Sequence, residues 1–313
     1  MTAPNSIEIH SIREFLDKLK LDEGLGVGGI ATQWIFRGQI RTRGSKDGWP
    51  LLPKAGRKSG FGAGLNTRQG WTDGEVSIGT GSSKVTKIQP NFFAPHDIMI
   101  FEEWCSRAIA YTPALPSNEW ERLALAQHYG LATRLLDWSQ SPLIALFFAV
   151  EADDMNAGAV YAYLRPHGRV IPDKHRFWDI CSEKDGDDAD LLSVAFSDVA
   201  IYEPRPFDRR MLQQRAVFTY HTKPLEPIVP MHERGADRRC QEIDRFGTDL
   251  MEFTIDGTWK RPLRRELSML GIDRETVFPD LEGLSSQLNY SRWMGNYTSR
   301  STCQPIAESG PRE

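Results

Sequence analysis

The feature of the sequence that most constrains the fold is a short, entirely apolar segment, Leu143 to Val150, directly after Ser141-Pro142. A hydroxyl residue followed by proline predicts a helix start, because the hydroxyl can cap free amide groups and proline fits the first helical position. A helix that is apolar on every side must be buried. The segment is far shorter than the roughly 20 residues that a membrane span requires. We therefore expect a soluble globular chain with this helix at the centre of its core.

The patterns around this segment mix helices and strands. Apolar residues at helical spacing predict further helices over residues 11–21, 92–111, 119–129, 263–270 and 279–293. Apolar runs rich in β-branched and aromatic residues predict strands at residues 34–36, 159–164, 200–202 and 216–220. The combination predicts an α+β fold, in which a single mixed domain holds a central small sheet and the buried apolar helix.

The predicted domain covers residues 31–294 and includes a long irregular insertion at residues 55–91, which is rich in Gly, Ser, Lys and Thr. An N-terminal helix and linker occupy residues 1–30. Residues 295–313 are polar and are expected to form a flexible tail.

Charge and cysteine usage exclude several classes of protein. The net charge is −4 and the pI is near 6.0, so no overall attraction to nucleic acid or to anionic membranes is expected. The N-terminus lacks the basic start and apolar core of a secretory signal. The four cysteines are scattered without a C-x-x-C pair, which predicts neither a metal site nor a disulfide framework. We expect a cytoplasmic protein without a metal.

Several ordered blocks of residues form a more specific pattern. The first is Phe36-Arg37-Gly38-Gln39, which is followed by Trp49-Pro50-Leu51-Leu52-Pro53. The central block runs from Gln127-His128-Tyr129-Gly130 through Thr133-Arg134-Leu135-Leu136-Asp137-Trp138. Later blocks contain Arg210 with Gln213-Gln214, and Leu270-Gly271 with Phe278-Pro279. In this order they resemble the FRG domain family from Ile7 to Leu288, which is a far more specific signal than any lone motif.

The resemblance implies a pocket built from Phe36-Arg37-Gly38 and the segment from Gln127 to Asp137. Arg37 follows an apolar run and needs a partner, since an isolated buried charge is costly. It can clamp a phosphate or carboxylate, with Gly38 allowing the ligand close to the backbone, or it can form a structural ion pair with Asp137. The ligand-binding candidates are Arg37, Gly38, Gln39, Gln127, Tyr129, Thr133, Arg134 and Arg210.

Two residues are candidates for a catalytic role. His128 has a side chain that titrates near neutral pH, so it can act as a general base, or it can simply complete the helix before it. Gln214 can orient a carboxamide or a ribose, or it can belong to a hydrogen-bond network at a strand edge. For Asp137 a structural role is favoured over a functional one: it can cap the helix near Pro142, which explains its position simply, or it can pair with Arg134.

Three functions fit these residues. An arginine at the end of an early strand resembles the arrangement in ADP-ribosyltransferases, where it holds the phosphates of NAD. That resemblance implies an NAD-dependent, ADP-ribosyltransferase-like toxin or phage-defence effector with a protein acceptor. The alternative is a non-catalytic sensor or adaptor that binds a nucleotide or another anion and signals to a regulatory partner. A nucleic-acid-binding module is disfavoured by the overall acidity of the chain.

Overall fold

The computed structural model describes residues 6–19, 34–45, 48–57, 95–112, 115–164, 199–221, 224, 226–230 and 250–293. The insertion predicted at residues 55–91 lies outside the described residues from residue 58 onward. The linker predicted up to residue 30 lies outside them from residue 20, and so does the whole predicted tail. The predicted α+β class is confirmed, because helices pack on one mixed sheet.

The sheet has seven strands among the described residues, in the order β1-β7-β4-β2-β3-β6-β5. The strands are β1 Ser6–Glu8, β2 Trp34–Gln39, β3 Leu135–Ser139, β4 Gly158–Leu164, β5 Val199–Tyr202, β6 Ala216–His221 and β7 Leu250–Ile255. Strand β1 runs parallel to β7, and every other pair of neighbours is antiparallel. The four predicted strands are confirmed, whereas β1, β3 and β7 were not predicted, so the sheet is larger than expected.

The described residues form eight α-helices and a short 3-10 turn at Lys54–Gly56. The helices are α1 Ile12–Lys18, α2 Pro95–Ala108, α3 Glu119–His128, α4 Pro142–Val150, α5 Arg209–Gln213, α6 Gly257–Met269, α7 Arg274–Val277 and α8 Leu281–Trp293. Each helix predicted from the apolar spacing is present; α6 begins at Gly257, well before the predicted start at residue 263, and the other bounds differ by three residues or fewer. None of the described helices has the length and apolar character needed to cross a bilayer.

Helix α4 is the central helix that the apolar segment predicts. The Ser141 hydroxyl accepts a hydrogen bond from the Ile144 amide at 3.4 Å, and Pro142 occupies the first turn. Ala145 and Ala149 are completely buried against the rest of the core. The capping role predicted for Asp137 is wrong, because Ser141 caps the helix and Asp137 lies in the middle of β3.

Neighbouring residues of β2 serve opposite faces of the sheet. Phe36 packs in the core cluster that contains α4, and Ile35 packs in the cluster on the other face with Tyr161. By this alternation Gly38 faces α4, and a Cβ atom there would lie 1.8 Å from the Ala145 carbonyl oxygen. Arg37 pairs in register with Tyr161 and faces away from α4.

A buried lysine on α6 forms hydrogen bonds to the residues that follow β2 and α4. Lys260 is 0% exposed, and its ammonium group donates to the carbonyl oxygens of Ile40, Ala152 and Asp153 at 2.8, 3.1 and 2.9 Å. Burial lowers the pKa of Lys260 to about 8, so the side chain is still an ammonium ion at neutral pH. Its three N–H donors therefore match three main-chain acceptors at the ends of β2 and α4.

Candidate functional site

The site begins where β2 and β3 separate. These strands pair at a single position, Phe36 with Ser139, whereas β2 pairs with β4 along its whole length. The Arg37 Nη1 group donates a hydrogen bond to the main-chain oxygen of Asp137. The arginine side chain thus satisfies a carbonyl at the point where strand pairing stops.

The separated strands border an open hollow of about 190 Å³. Its described lining consists of Arg37, Lys54, Arg57, Gln127, Leu135, Leu136 and Asp137. Three of these side chains carry a positive charge and one carries a negative charge, so the lining is strongly cationic at neutral pH. Such a hollow attracts anions.

Arg37 is held in a fixed orientation within this hollow. With the Gln39 amide turned so that its oxygen faces the guanidinium, that oxygen accepts from Arg37 Nε at 3.3 Å and the amide nitrogen donates to the Trp49 carbonyl at 2.8 Å. Burial lowers the pKa of Arg37 to about 10, while the Asp137 charge acts in the opposite sense. Arg37 therefore remains a cation at neutral pH, and its guanidinium is held between the Gln39 amide oxygen and the main-chain oxygen of Asp137.

A hydrogen-bonded chain orients the acidic side of the hollow. The Thr133 hydroxyl accepts from the Leu135 amide at 3.1 Å and donates to Gln127 Oε1 at 2.6 Å. The Gln127 amide nitrogen in turn donates to the two Asp137 carboxylate oxygens at 3.2 and 3.4 Å. Because each group in the chain fixes the next, the amide of Gln127 and the carboxylate of Asp137 face the hollow in one arrangement.

The other two cations come from the segment that follows Pro53. The Lys54 ammonium donates to the Gly130 carbonyl at 2.5 Å, and Arg57 Nε donates to the Leu52 carbonyl at 3.0 Å. Burial lowers the pKa of Arg57, with the Asp137 charge opposing that shift. Gly130 ends α3 with a φ of +93°, a conformation that favours glycine, and this turn brings the end of α3 against Lys54.

His128 lies at a different place, between α3 and α5. Its Nε2 atom is 2.7 Å from the Asp208 carboxylate, and its ring meets those of Tyr129 and Phe207 edge to face. Asp208 also caps α5 by accepting from the Met211 amide. Neither His128 nor Tyr129 is among the residues that line the hollow, and Tyr129 is 73% exposed.

The remaining candidates also lie outside the lining. Gln214 donates to the Val277 carbonyl at 3.2 Å, and the Arg210 guanidinium lies 4.7 Å from the centre of the Phe278 ring. Arg134 is buried, with its carbonyl accepting from the His221 amide. The structure thus brings together Arg37, Gln39, Gln127, Thr133 and Asp137, and it separates His128, Tyr129, Gln214 and Arg210 from them.

Lys54 and Arg57 are the residues that the sequence analysis missed. Arg57 lies inside the stretch that was assigned to an irregular insertion, residues 55–91. Lys54 directly precedes that stretch. The available signal was their position directly after Leu51-Leu52-Pro53, the second part of the first motif block. Among the described residues, no group of three or more His, Cys, Asp or Glu side chains could hold a metal ion.

A buried histidine, His221, lies beneath the site. The Thr219 hydroxyl oxygen accepts from Trp138 Nε1 at 2.9 Å and lies 3.1 Å from His221 Nε2. Burial first, and the charge of Arg37 second, lower the pKa of His221 from 6.5 to about 3.

We predict that His221 contributes to loss of stability in acid. The unfolded chain binds a proton near pH 6.5 and the folded chain binds it only near pH 3, so the free energy of unfolding falls as the pH drops through this window. Urea unfolding measures the free energy of unfolding at about pH 7 and at about pH 4.5. The decrease between these two pH values should be smaller by about 2 kcal/mol in His221→Gln than in wild type. His10→Gln, at a partly exposed histidine, is the control. An equal loss in wild type and His221→Gln would contradict the prediction.

Comparison with known proteins identifies one family that matches part of the chain. The model of the FRG domain family matches residues 32–157, a stretch that begins just before β2 and ends after α4. Every described residue that lines the hollow lies within this stretch. No curated protein and no solved structure matches the chain. The resemblance found in the first motif blocks is thereby confirmed.

Proposed function

Because residues 32–157 form an FRG domain, we propose that the protein binds a phosphate-bearing ligand, such as a nucleotide, in the hollow between β2 and β3. The observation that carries this proposal is the convergence of Arg37, Lys54 and Arg57 on one small, open hollow. Phosphate oxygens are strong hydrogen-bond acceptors, and they carry the charge that this lining favours.

Arg37 is the central contact in this proposal. A guanidinium presents a planar set of N–H donors that matches two phosphate oxygens at once. Arg37 uses Nε and Nη1 for Gln39 and Asp137, and none of the described residues is a hydrogen-bond partner for its Nη2. A ligand phosphate would bind this held donor without first ordering a long side chain, which lowers the entropic cost of binding.

An NAD-dependent, ADP-ribosyltransferase-like reaction is the enzymatic form of the proposal, with a toxin or defence effector as its biological setting. That reaction breaks the bond between nicotinamide and ribose, and a carboxylate can stabilise the positive charge that develops on the ribose. Asp137 is the carboxylate in the hollow. None of the described lining side chains is aromatic, so the phosphate contacts are better supported than a stacking site for nicotinamide.

The alternative is a non-catalytic sensor or adaptor that uses the same contacts. The held arrangement of Gln127 and Asp137 supports this form equally well, because it requires a specific ligand but no chemical step. The two forms share every binding residue and differ only in turnover.

We expect Arg37→Ala to weaken binding of ADP-ribose, NAD or pyrophosphate by about tenfold or more, since a charged hydrogen bond contributes about 1.5–3 kcal/mol. Isothermal titration calorimetry at low salt measures this change. Arg13→Ala removes the same charge from an arginine whose side chain is 92% exposed on α1, and it should bind like wild type. Equal affinities for wild type and Arg37→Ala would contradict the proposed site.

Nicotinamide release separates the enzyme from the sensor. Purified protein is incubated with labelled NAD, with and without cell extract as a source of acceptors, and nicotinamide is followed by chromatography. Turnover that Arg37→Ala and Asp137→Ala both lose supports the transferase. Binding of NAD or ADP-ribose in calorimetry without nicotinamide release supports the sensor or adaptor.

A further inference from the structure

Asp137 is an unexpected residue in a hollow that otherwise suits an anion. Its carboxylate is 57% exposed and lies 3.9 Å from Arg37 Nη1. Within the described part of the chain it accepts hydrogen bonds from Gln127 alone, at 3.2 and 3.4 Å. A carboxylate offers about four acceptor sites, so Asp137 keeps capacity for further donors. A site that bound only a bare phosphate would gain from an uncharged residue here, because two anions repel.

The position of Asp137 calls for a ligand that carries both an anion and hydrogen-bond donors. The donors have to face the carboxylate while the anion faces Arg37, Lys54 and Arg57. A ligand ammonium group would satisfy Asp137, but it would stand close to three protein cations in the same hollow. Hydroxyl groups donate without carrying a charge, so they fit this balance better than an amine.

We propose that the hollow selects phosphates that carry neighbouring hydroxyl groups, such as sugar phosphates, and that Asp137 determines this specificity. Arg37 then holds the phosphate, and the Asp137 carboxylate accepts from the ligand hydroxyls. Gln127 keeps the carboxylate in place, because Thr133 fixes the orientation of its amide. The proposal rests on the proposed binding of phosphates, and it adds the chemical class of the ligand.

The test compares three phosphate monoesters in calorimetry: ribose 5-phosphate, which carries hydroxyl groups, propyl phosphate, which carries none, and phosphoethanolamine, which carries an amine. In wild type we expect ribose 5-phosphate to bind about tenfold tighter than propyl phosphate, the size of one charged hydrogen bond. In Asp137→Ala the two ligands should bind with about equal affinity. Both are relieved of the repulsion between their phosphate and the carboxylate, but only ribose 5-phosphate loses the acceptor for its hydroxyl groups. Asp17→Asn, a change at a carboxylate that is 71% exposed on α1, should keep the wild-type preference.

The outcomes separate this proposal from the one on which it rests. If all three phosphates bind wild type with equal affinity, or if Asp137→Ala keeps the preference for ribose 5-phosphate, the specificity proposal is wrong while phosphate binding stands. Tighter binding of phosphoethanolamine than of ribose 5-phosphate also overturns it, in favour of aminophosphates. If none of the phosphates binds wild type, the proposed phosphate site is itself wrong and the specificity proposal falls with it.

Discussion

Replacement of Gly38 by alanine is expected to lower the free energy of unfolding more than any other single substitution proposed for this protein. A Cβ atom at this position would lie 1.8 Å from the Ala145 carbonyl oxygen, 2.7 Å from the Ala149 amide nitrogen and 2.8 Å from Phe148 Cβ. Two of these atoms belong to the main chain of α4, so a change of rotamer cannot relieve the overlap. Strand β2 and helix α4 would have to move apart, in the middle of a close-packed core.

The cost of that movement is on the order of 3 kcal/mol or more, because overpacking in cores typically costs 1–3 kcal/mol and here the clash is with backbone. A typical domain is stable by only about 5–15 kcal/mol, so this change removes a large part of the total. Soluble yield and the midpoint of thermal unfolding measure the effect. Gly44→Ala is the matched control, since a Cβ there meets nothing within 4 Å. A wild-type melting temperature for Gly38→Ala would refute the close approach of α4 to β2.

Lys260→Met is expected to produce the second large loss of stability. Methionine keeps most of the apolar length of the side chain but removes the ammonium group that the carbonyls of Ile40, Ala152 and Asp153 share. A buried acceptor without a partner costs about 1–3 kcal/mol, so three together should lower the free energy of unfolding by about 3 kcal/mol or more. Unfolding in urea gives this difference directly.

The control for Lys260→Met is Lys18→Met on α1. Lys18 also contacts a carbonyl and a carboxylate, those of Glu8 and Glu14, but its side chain is 37% exposed and water can replace it there. We expect its loss to stay within about 1 kcal/mol. Similar small losses for both lysine variants would mean that the carbonyls around Lys260 find other partners.

Local chemistry explains which parts of the fold could be predicted. The start of α4 depends only on Ser141, Pro142 and the apolar residues after them, and all of these are adjacent in sequence. Strand β3 was missed because Leu135 to Ser139 lies inside a motif block whose polar residues suggested a binding segment. Strand β1 was missed because it has only three residues, and β7 was missed because it follows a charged stretch. The two strands pair between residues 6 and 252, which are far apart in the sequence.

The site shows the same division. Arg37, Gln127 and Asp137 could be selected from the sequence because they stand in recognisable blocks, and the structure places them around one hollow. The capping role assigned to Asp137 failed because Ser141, adjacent to Pro142, already supplies the cap. Lys54 and Arg57 required knowledge of a contact between the turn after Pro53 and the end of α3, which spans 76 positions from Lys54 to Gly130. Spacing along the chain carries no information about such a contact.

Arg37 and Gly38 are adjacent in β2 but face opposite sides of the sheet, so the contact to the proposed ligand and the contact to α4 depend on each other. One residue holds the proposed ligand contact and the next sets the distance between β2 and the central helix, so a single peptide unit links ligand recognition to core integrity. Substitutions in α4 that displace Gly38 should also move Arg37, and so change the affinity for the ligand although the substituted residue does not line the hollow. Such substitutions would also lower the stability of the core, so affinity and stability should change together in these variants.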